Sequence, residues 1–242
     1  MLLNIFKSKP TLKELIPAGF VDIHSHILPG IDDGAKNIEE SILLISQMKK
    51  LGFIKIIGTP HSYPSVYDNT KKSITDSYNK LKDKIPKGIK IGYASEYMAD
   101  ISIQDKIKNN SILTIKDKLI LIETGFNSMP NNLFEMIFEI RLSGYVPVIA
   151  HPERYIYLHE NYRIAEKLKI AGCLFQINLL SSTGYYGNRI SKFCDKLLVE
   201  NMVDYVGSDI HNLKHIQEFE SKVKLNNIKK FVKAIEANQI FI

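Results

Sequence analysis

A chain of 242 residues is long for one average domain and short for two, a length at which α/β barrels and layered α/β folds often form a single unit. Hydrophobic residues at 45% and charged residues at 24% exclude a disordered chain; the net charge of +6 is spread out, without the basic, aromatic-interleaved stripe of a nucleic-acid binder. Only two cysteines, Cys173 and Cys194, exclude a disulfide framework and favour a reducing compartment.

Met1 to Lys7 carries a short apolar-basic patch read as a packed terminal segment, with contact to a membrane surface or a neighbouring subunit as the alternative. No apolar run reaches signal-peptide or transmembrane length, so the expected location is the cytoplasm. Residues 1–18, with Pro10 and Pro17, read as an irregular lead-in, and 19–242 as one domain without linker, repeat or low-complexity tract.

Val21 to His24 reads as a buried strand, continuing into His26 and an acidic loop with Asp32 and Asp33. Histidines at i and i+2 of an extended chain point to one side, so both imidazoles can reach one ion. Asn37 caps a helix, with Glu40 in the capping-box position; Ile38, Ile42, Ile45 and Leu51 form its apolar stripe and Gly52 ends it. Phe53 to Gly58 is a short β-branched strand delivering His61 after Thr59-Pro60. The polar loop 62–70, with Tyr63 and Tyr67, is either a substrate-facing lid or a locally packed turn, and a lysine-rich helix covers 71–84.

Ile89 to Ser95 reads as one strand running into Glu96, and Lys118 to Glu123 as the next. Pro130 stands before an amphipathic helix with Leu133, Phe134, Ile137, Phe138 and Leu142 inward and Gly144 at its end. Tyr145 to Ala150 is a strand finishing in His151-Pro152-Glu153-Arg154. A helix over 159–171, a strand over Cys173 to Asn178, a helix over 187–201, a strand over Val203 to Gly207 leading to Asp209 and His211, and a helix near 226–237 complete the chain. His159 reads as a surface residue.

Seven strand–helix units in succession predict a parallel sheet with helices outside, closed into a barrel or left doubly wound, and donors at so many strand ends favour the barrel. His24, His26, Asp33, His61, Glu96, His151, Asp209 and His211 are all imidazole or carboxylate, expected on one rim. Nitrogen and oxygen donors without thiolate suit manganese, iron or zinc, and carboxylates able to bridge suggest two or three ions.

The segments His24-Ser25-His26, Thr59-Pro60-His61, Glu96, His151-Pro152-Glu153-Arg154 and Gly207-Ser208-Asp209-Ile210-His211, in this order, resemble the motifs of the polymerase and histidinol phosphatase (PHP) superfamily. Val21 to His26 with Leu28-Pro29-Gly30-Ile31-Asp32-Asp33-Gly34, and His151 to Tyr155, resemble its CpsB/CapC/YwqE branch of manganese-dependent protein-tyrosine phosphatases associated with capsule and exopolysaccharide synthesis. The resemblance implies a distorted (β/α)7 TIM-like barrel around a trinuclear site. His24, His26, Glu96 and Asp209 would surround one ion, Glu96 would bridge to a second also bound by His151, and Asp33, His61 and His211 would hold a third. Arg154 would clamp the phosphate, and it is counted with His61 and His211 as catalytic, while Asp32 reads as a loop residue.

The implied partner is a phosphotyrosine protein, a tyrosine kinase of polysaccharide export, and a homo-oligomer is compatible with the sequence. The cysteine route of other tyrosine phosphatases is absent, because position six after Cys173 is Leu179 and after Cys194 is Glu200, not arginine. Two departures from the branch are Ser62, where a second histidine is common, and Lys214-His215-Ile216, where an arginine is common. Competing readings are a small-molecule phosphomonoesterase such as histidinol-phosphate phosphatase and a non-catalytic metal-binding regulator.

Overall fold

The structure, a computed structural model, describes residues 8–242, so the expectation for Met1 to Lys7 lies outside the described residues. The lead-in is not wholly irregular. Thr11 and Glu14 form a capping box that opens helix α1 (Leu12–Leu15), and the Leu12 amide donates to the Ser221 carbonyl at 3.0 Å, binding the lead-in to the C-terminal third.

Strand β1 (Phe20–Ser25) is followed by α2 (Ile38–Lys50), β2 (Phe53–Gly58), the two-residue β3 (His61–Ser62) and α3 (Lys71–Leu81). Asn37 caps α2 as expected, its side chain accepting the Glu40 amide at 2.9 Å, but the capping box is incomplete: the Glu40 carboxylate takes the Lys36 amide. The buried stripe of α2 is Ser41, Leu44, Ile45 and Met48, with Ile38, Ile42 and Leu51 at its margin.

The strand read from Ile89 to Ser95 and running into Glu96 is shorter, β4 (Lys90–Tyr93), and Glu96 begins a separate strand, β5 (Glu96–Met98). The cause lies across the ladder. Pro60 has no amide hydrogen to continue the pairing, and its carbonyl instead accepts the Glu96 amide at 3.1 Å and the Ser95 hydroxyl at 3.1 Å. Ladders β1-β2-β4 and β3-β5 therefore separate at this point, and Glu96 opens a strand rather than closing one.

Next come α4 (Ser102–Lys108), β6 (Leu119–Glu123), α5 (Leu133–Leu142) and β7 (Val146–Ala150). The face of α5 differs from expectation. Leu133, Met136, Ile137 and Ile140 are buried while Phe138 and Leu142 are 62% and 70% exposed. Apolar residues nearly surround this helix, so periodicity alone did not choose between two arcs, and the sheet took the one it faced. The helix expected over 159–171 is α7 (Tyr162–Ile170), preceded by a short separate helix, α6 (Ile156–Glu160). Strand β8 (Leu174–Asn178), α8 (Asn188–Val199), β9 (Tyr205–Gly207), α9 (Leu213–Gln217) and α10 (Ile228–Ala237) complete the order.

All ladders are parallel, in a three-stranded sheet β1-β2-β4 and a six-stranded sheet β3-β5-β6-β7-β8-β9. The expected closed seven-unit barrel is thus met in part. The alternation is there, but hydrogen bonding draws two sheets, joined beside the site by the Ser25–Ile210 bridge. Val21, Ile23, Ile57, Leu121, Val148 and Ala150 share an inner apolar cluster closed by Phe241, so both sheets curve around one interior. A larger cluster lies between sheets and helices, where Phe53 meets Phe20 at 4.9 Å and Phe219 at 6.0 Å between ring centroids. Each such ring contributes about 1.5–3 kcal/mol by burial.

Candidate metal centre

Between the Asp22–Ile56 and Ser25–Gly58 pairs, β1 carries one residue more than β2. Such a bulge re-aims a side chain. Ile23 belongs to the inner apolar cluster, yet His24 also turns inward, where its Nδ1 meets Gln176 Oε1 on β8 at 2.7 Å. Close approach of β9 completes the packing: a Cβ on Gly207 would stand 2.6 Å from the His24 Cβ, so only glycine fits there. Asp22 locks the same corner, accepting the Ser208 amide at 2.8 Å and its hydroxyl at 2.5 Å; burial pushes its carboxyl up to about 6. His151 and Asp209 both adopt left-handed backbone, at φ 34° and 52°, a costly conformation for such residues that the surrounding hydrogen bonds hold in place.

The eight predicted donors converge. Glu96 Oε2 lies 3.0 Å from His61 Nδ1, 3.2 Å from His24 Nε2 and 3.4 Å from His26 Nε2, and Glu96 Oε1 lies 2.9 Å from His151 Nε2. Asp209 Oδ1 is 3.4 Å from His24 Nε2, 3.3 Å from His26 Nε2 and 3.5 Å from His211 Nδ1. Asp33, half exposed on its loop, reaches His61 Nε2 at 3.5 Å and His211 Nε2 at 3.4 Å.

Glu96 Oε2 is buried and makes no hydrogen bond despite three imidazole nitrogens around it, and the Nε2 atoms of His24 and His26 face each other at 3.3 Å. Lone pairs directed at common points, with no protein donor to satisfy them, are what an ion-binding site presents. Donor atoms within 4.8 Å of one another form four groups: His26, Asp33, His61 and His211; His24, His151 and Asp209; His24, His26 and Glu96; His61, Glu96 and Glu123. This grouping differs from the partition implied by resemblance. His151 meets His24 and Asp209 as well as Glu96, and His61 turns towards Glu123 as well as Asp33.

Electrostatics follow the geometry. Burial opposes ionisation of Glu96 and Asp209, but the surrounding imidazoles, His24 foremost, hold both carboxyls well below the usual range. Asp33 falls to about 2, chiefly through its hydrogen bond with His211. For His61, burial disfavours the charge, yet Glu96 and Glu123 raise it to about 10. His151 is lowered to about 4 by burial. Without bound metal, His61 is therefore held as a cation beside Glu96 and Glu123.

Several residues of the cluster escaped sequence reasoning. Glu123, at the end of β6, lies 2.7 Å from His61 Nδ1; its place at the end of an expected strand was the available signal. Asp32 is no mere loop residue: its fully buried carboxylate meets His26 Nδ1 at 2.7 Å and accepts the amides of Gly34 at 3.0 Å and His61 at 3.2 Å. Gln176 behind His24, and Asn178, which donates to Asp209 Oδ2 at 2.7 Å, carry no local sequence signal of their role. Such partners set the tautomer and orientation of potential ligands.

Arg154 leaves the 3-10 turn Pro152–Arg154 beside Asp209, Nη1 to Oδ2 3.0 Å, with its guanidinium 4.4 Å from each ring centre of Phe126 and Tyr186. It faces a cavity of about 570 Å³ whose wall includes Tyr63, Val66, Tyr67, Met98 and Phe126. The loop from Tyr63 to Tyr67 is pinned by two reciprocal backbone bonds at 2.9 and 2.7 Å, and Tyr67 stacks on His61. It therefore packs locally and lines the cavity as well. His159 is not a surface residue: half-buried, it stacks on Phe193 at 4.1 Å and its Nε2 bonds the Glu153 carbonyl at 2.7 Å. Ser62 is buried against Ser95, away from the donors, while Lys214 is exposed and His215 stands in the cavity wall.

Fold and site together define an α/β protein with parallel sheets whose strand ends carry a nitrogen- and oxygen-donor cluster suited to divalent metal. The chain belongs to the CpsB/CapC family, whose model, described as capsular polysaccharide synthesis, matches residues 20–242. It is 34% identical over 207 residues to the tyrosine-protein phosphatase YwqE of Bacillus subtilis, covering 82% of this chain and 81% of that one. It is 30% identical over 203 residues to the tyrosine-protein phosphatase CpsB of Streptococcus pneumoniae, covering 80% and 83%. A solved structure from work on YwqE and CpsB, described as unique metal-dependent tyrosine phosphatases, superimposes with a TM-score of 0.75 at 32% identity over 82% of this chain and 84% of that chain. Histidinol phosphate phosphatase from Lactococcus lactis shares the fold, with a TM-score of 0.54 at 13% identity over 89% and 93% of the two chains.

Proposed function

We propose that this protein is a metal-dependent protein-tyrosine phosphatase that hydrolyses phosphotyrosine on a protein substrate, a tyrosine kinase of capsule or exopolysaccharide synthesis. One observation carries the reading: Arg154, a fixed bidentate cation, stands at the mouth of the donor cluster, against Asp209 and inside an aromatic-walled cavity. Similarity to the YwqE and CpsB phosphatases supports it. The pair of sheets around one interior is read as a distorted barrel, as in TIM-barrel-like hydrolases.

His24, His26, Asp33, His61, Glu96, His151, Asp209 and His211 would hold the metal, with Glu123 added by the geometry. The mixed donor set suits manganese, with iron or zinc as alternatives. Bound divalent metal supplies Lewis acidity towards phosphate oxygens and an activated water.

The protein's own groups do the rest. Arg154 binds two phosphate oxygens and offsets charge developing in the transition state. Phe126 and Tyr186 restrict its guanidinium to one plane, so less freedom is lost on binding. Tyr67, Phe126 and Met98 receive the aryl ring. A phenol of pKa about 10 leaves without a strong general acid. Cys173 and Cys194 take no part, being buried away from the cavity, with burial pushing the Cys173 thiol up to about 12.

No helix among the described residues is long and apolar enough to cross a membrane, and the reading places the enzyme in the cytoplasm with its kinase partner. The test is phosphate release by manganese-loaded protein from a phosphotyrosine peptide and, separately, from histidinol phosphate, with His24→Ala as control. Release from the peptide is the expected result. Release only from histidinol phosphate would reassign the substrate, and none from either would leave a metal-binding regulator.

A further inference from the structure

A second groove, of about 580 Å³, lies between α2 and the start of α9 and shares Asp33, His211 and Asn212 with the cavity of the donor cluster. Its floor is apolar. Leu43 and Leu213 stand 42% and 39% exposed there, too open for residues whose role is to fill a core. Its edges are basic: Lys36 and Lys214 line it from opposite elements, and among the described residues neither ammonium has a hydrogen-bond or ion-pair partner. Two carboxylates also line it, and both are engaged: Glu40 accepts the Lys36 backbone amide, and Asp33 at the shared rim faces His61 and His211.

We propose that this groove is a subsite for the chain flanking the phosphotyrosine of the substrate, seating an apolar side chain on Leu43 and Leu213 and an acidic one between Lys36 and Lys214. The proposal rests on the phosphatase reading. Continuity decides the occupant, because a peptide whose phosphotyrosine enters the cavity need only cross the shared rim of Asp33, His211 and Asn212 to reach the groove. Charge decides its chemistry: the two lysine ammoniums at the edges are unpaired while Asp33 and Glu40 are engaged within the protein, so the edges favour carboxylates over basic flanks. A small-molecule phosphate has no flanking chain to reach Lys36, Leu43 or Lys214 beyond the shared rim.

The test uses the metal-loaded protein with three substrates: a phosphotyrosine peptide flanked by leucine and glutamate, the same peptide with lysine for glutamate, and p-nitrophenyl phosphate. The wild type is expected to favour the acidic peptide in kcat/KM by about tenfold, a preference worth one decade in transition-state binding. Lys36→Glu with Lys214→Glu abolishes or inverts that preference and leaves p-nitrophenyl phosphate within about twofold. Leu43→Asp, on an exposed position, lowers turnover of both peptides alone. Turnover without flank preference, or equal loss on all three substrates, overturns the subsite while the phosphatase reading stands. No turnover of any substrate by the wild type overturns both. A wild-type dimer in light scattering that dissociates on charge reversal would put a second copy in the groove and overturn the proposal as well.

Discussion

Asp32→Asn removes one charge and almost no volume from the centre of the site. The native carboxylate accepts three N–H groups, with Oδ2 shared between His26 Nδ1 and the His61 amide and Oδ1 facing the Gly34 amide. An asparagine can turn its oxygen to one side only. With the oxygen towards His26, its NH2 opposes the Gly34 amide and leaves a buried donor unsatisfied, which costs about 1–3 kcal/mol. In a chain of this length that lowers the melting temperature by about 2–4 °C per kcal/mol. The larger effect falls on the ligand. When His26 is neutral, as a metal ligand must be, the carboxylate keeps its proton on Nδ1 and leaves the Nε2 lone pair free towards Glu96 and Asp209. Weakening that orientation costs about 10–100-fold in metal affinity, or about 1.4–2.8 kcal/mol. Calorimetric manganese titration of chelator-stripped protein, beside melting of the stripped protein, separates the two effects. An unchanged manganese affinity with lowered melting would make Asp32 a purely structural acid and refute the reasoning.

Glu123→Gln should lower the number or affinity of bound ions with little effect on folding, read by elemental analysis and manganese titration; full stoichiometry at unchanged affinity would leave Glu123 as a partner of His61 only. Metal at a hundredfold over its dissociation constant should stabilise the fold by about 2.7 kcal/mol, so chelation should lower the melting temperature and abolish phosphate release, both restored by manganese. Stripped protein should lose stability from about pH 7 to pH 10: His61, raised from 6.5 to about 10 in the fold, contributes stability that is complete below its unfolded value and lost as pH passes the folded one. A melting temperature flat across that range would contradict the charge arrangement derived for the cluster. Arg154→Lys keeps the charge but loses the planar fork, so kcat/KM for a phosphotyrosine peptide should fall by about 10-fold or more with metal content unchanged.

The amino-acid sequence by itself determined what depends on near neighbours. The Asn37 cap, the alternation of strands and helices, and the donors at strand ends were all legible, because capping bonds span three residues and a strand end is marked by the residues after it. Local pattern alone thus gathers His24, His26, His61, Glu96, His151 and Asp209 onto one rim. Tertiary structure alone decided which acids complete the cluster. Asp32 and Asp33 differ by one position, yet one is buried behind His26 and the other half exposed between His61 and His211, a choice made by a loop that folds back over strand β1. Glu123 ends its strand as the other donors do, but only the fold set it beside His61. Likewise the early end of the expected strand at β4 and the fresh start of β5 at Glu96 arise opposite, at Pro60, and the inward arc of α5 was settled by the sheet it met. Long-range pairing brings together groups separated by tens to hundreds of residues, and local periodicity carries no record of that distance.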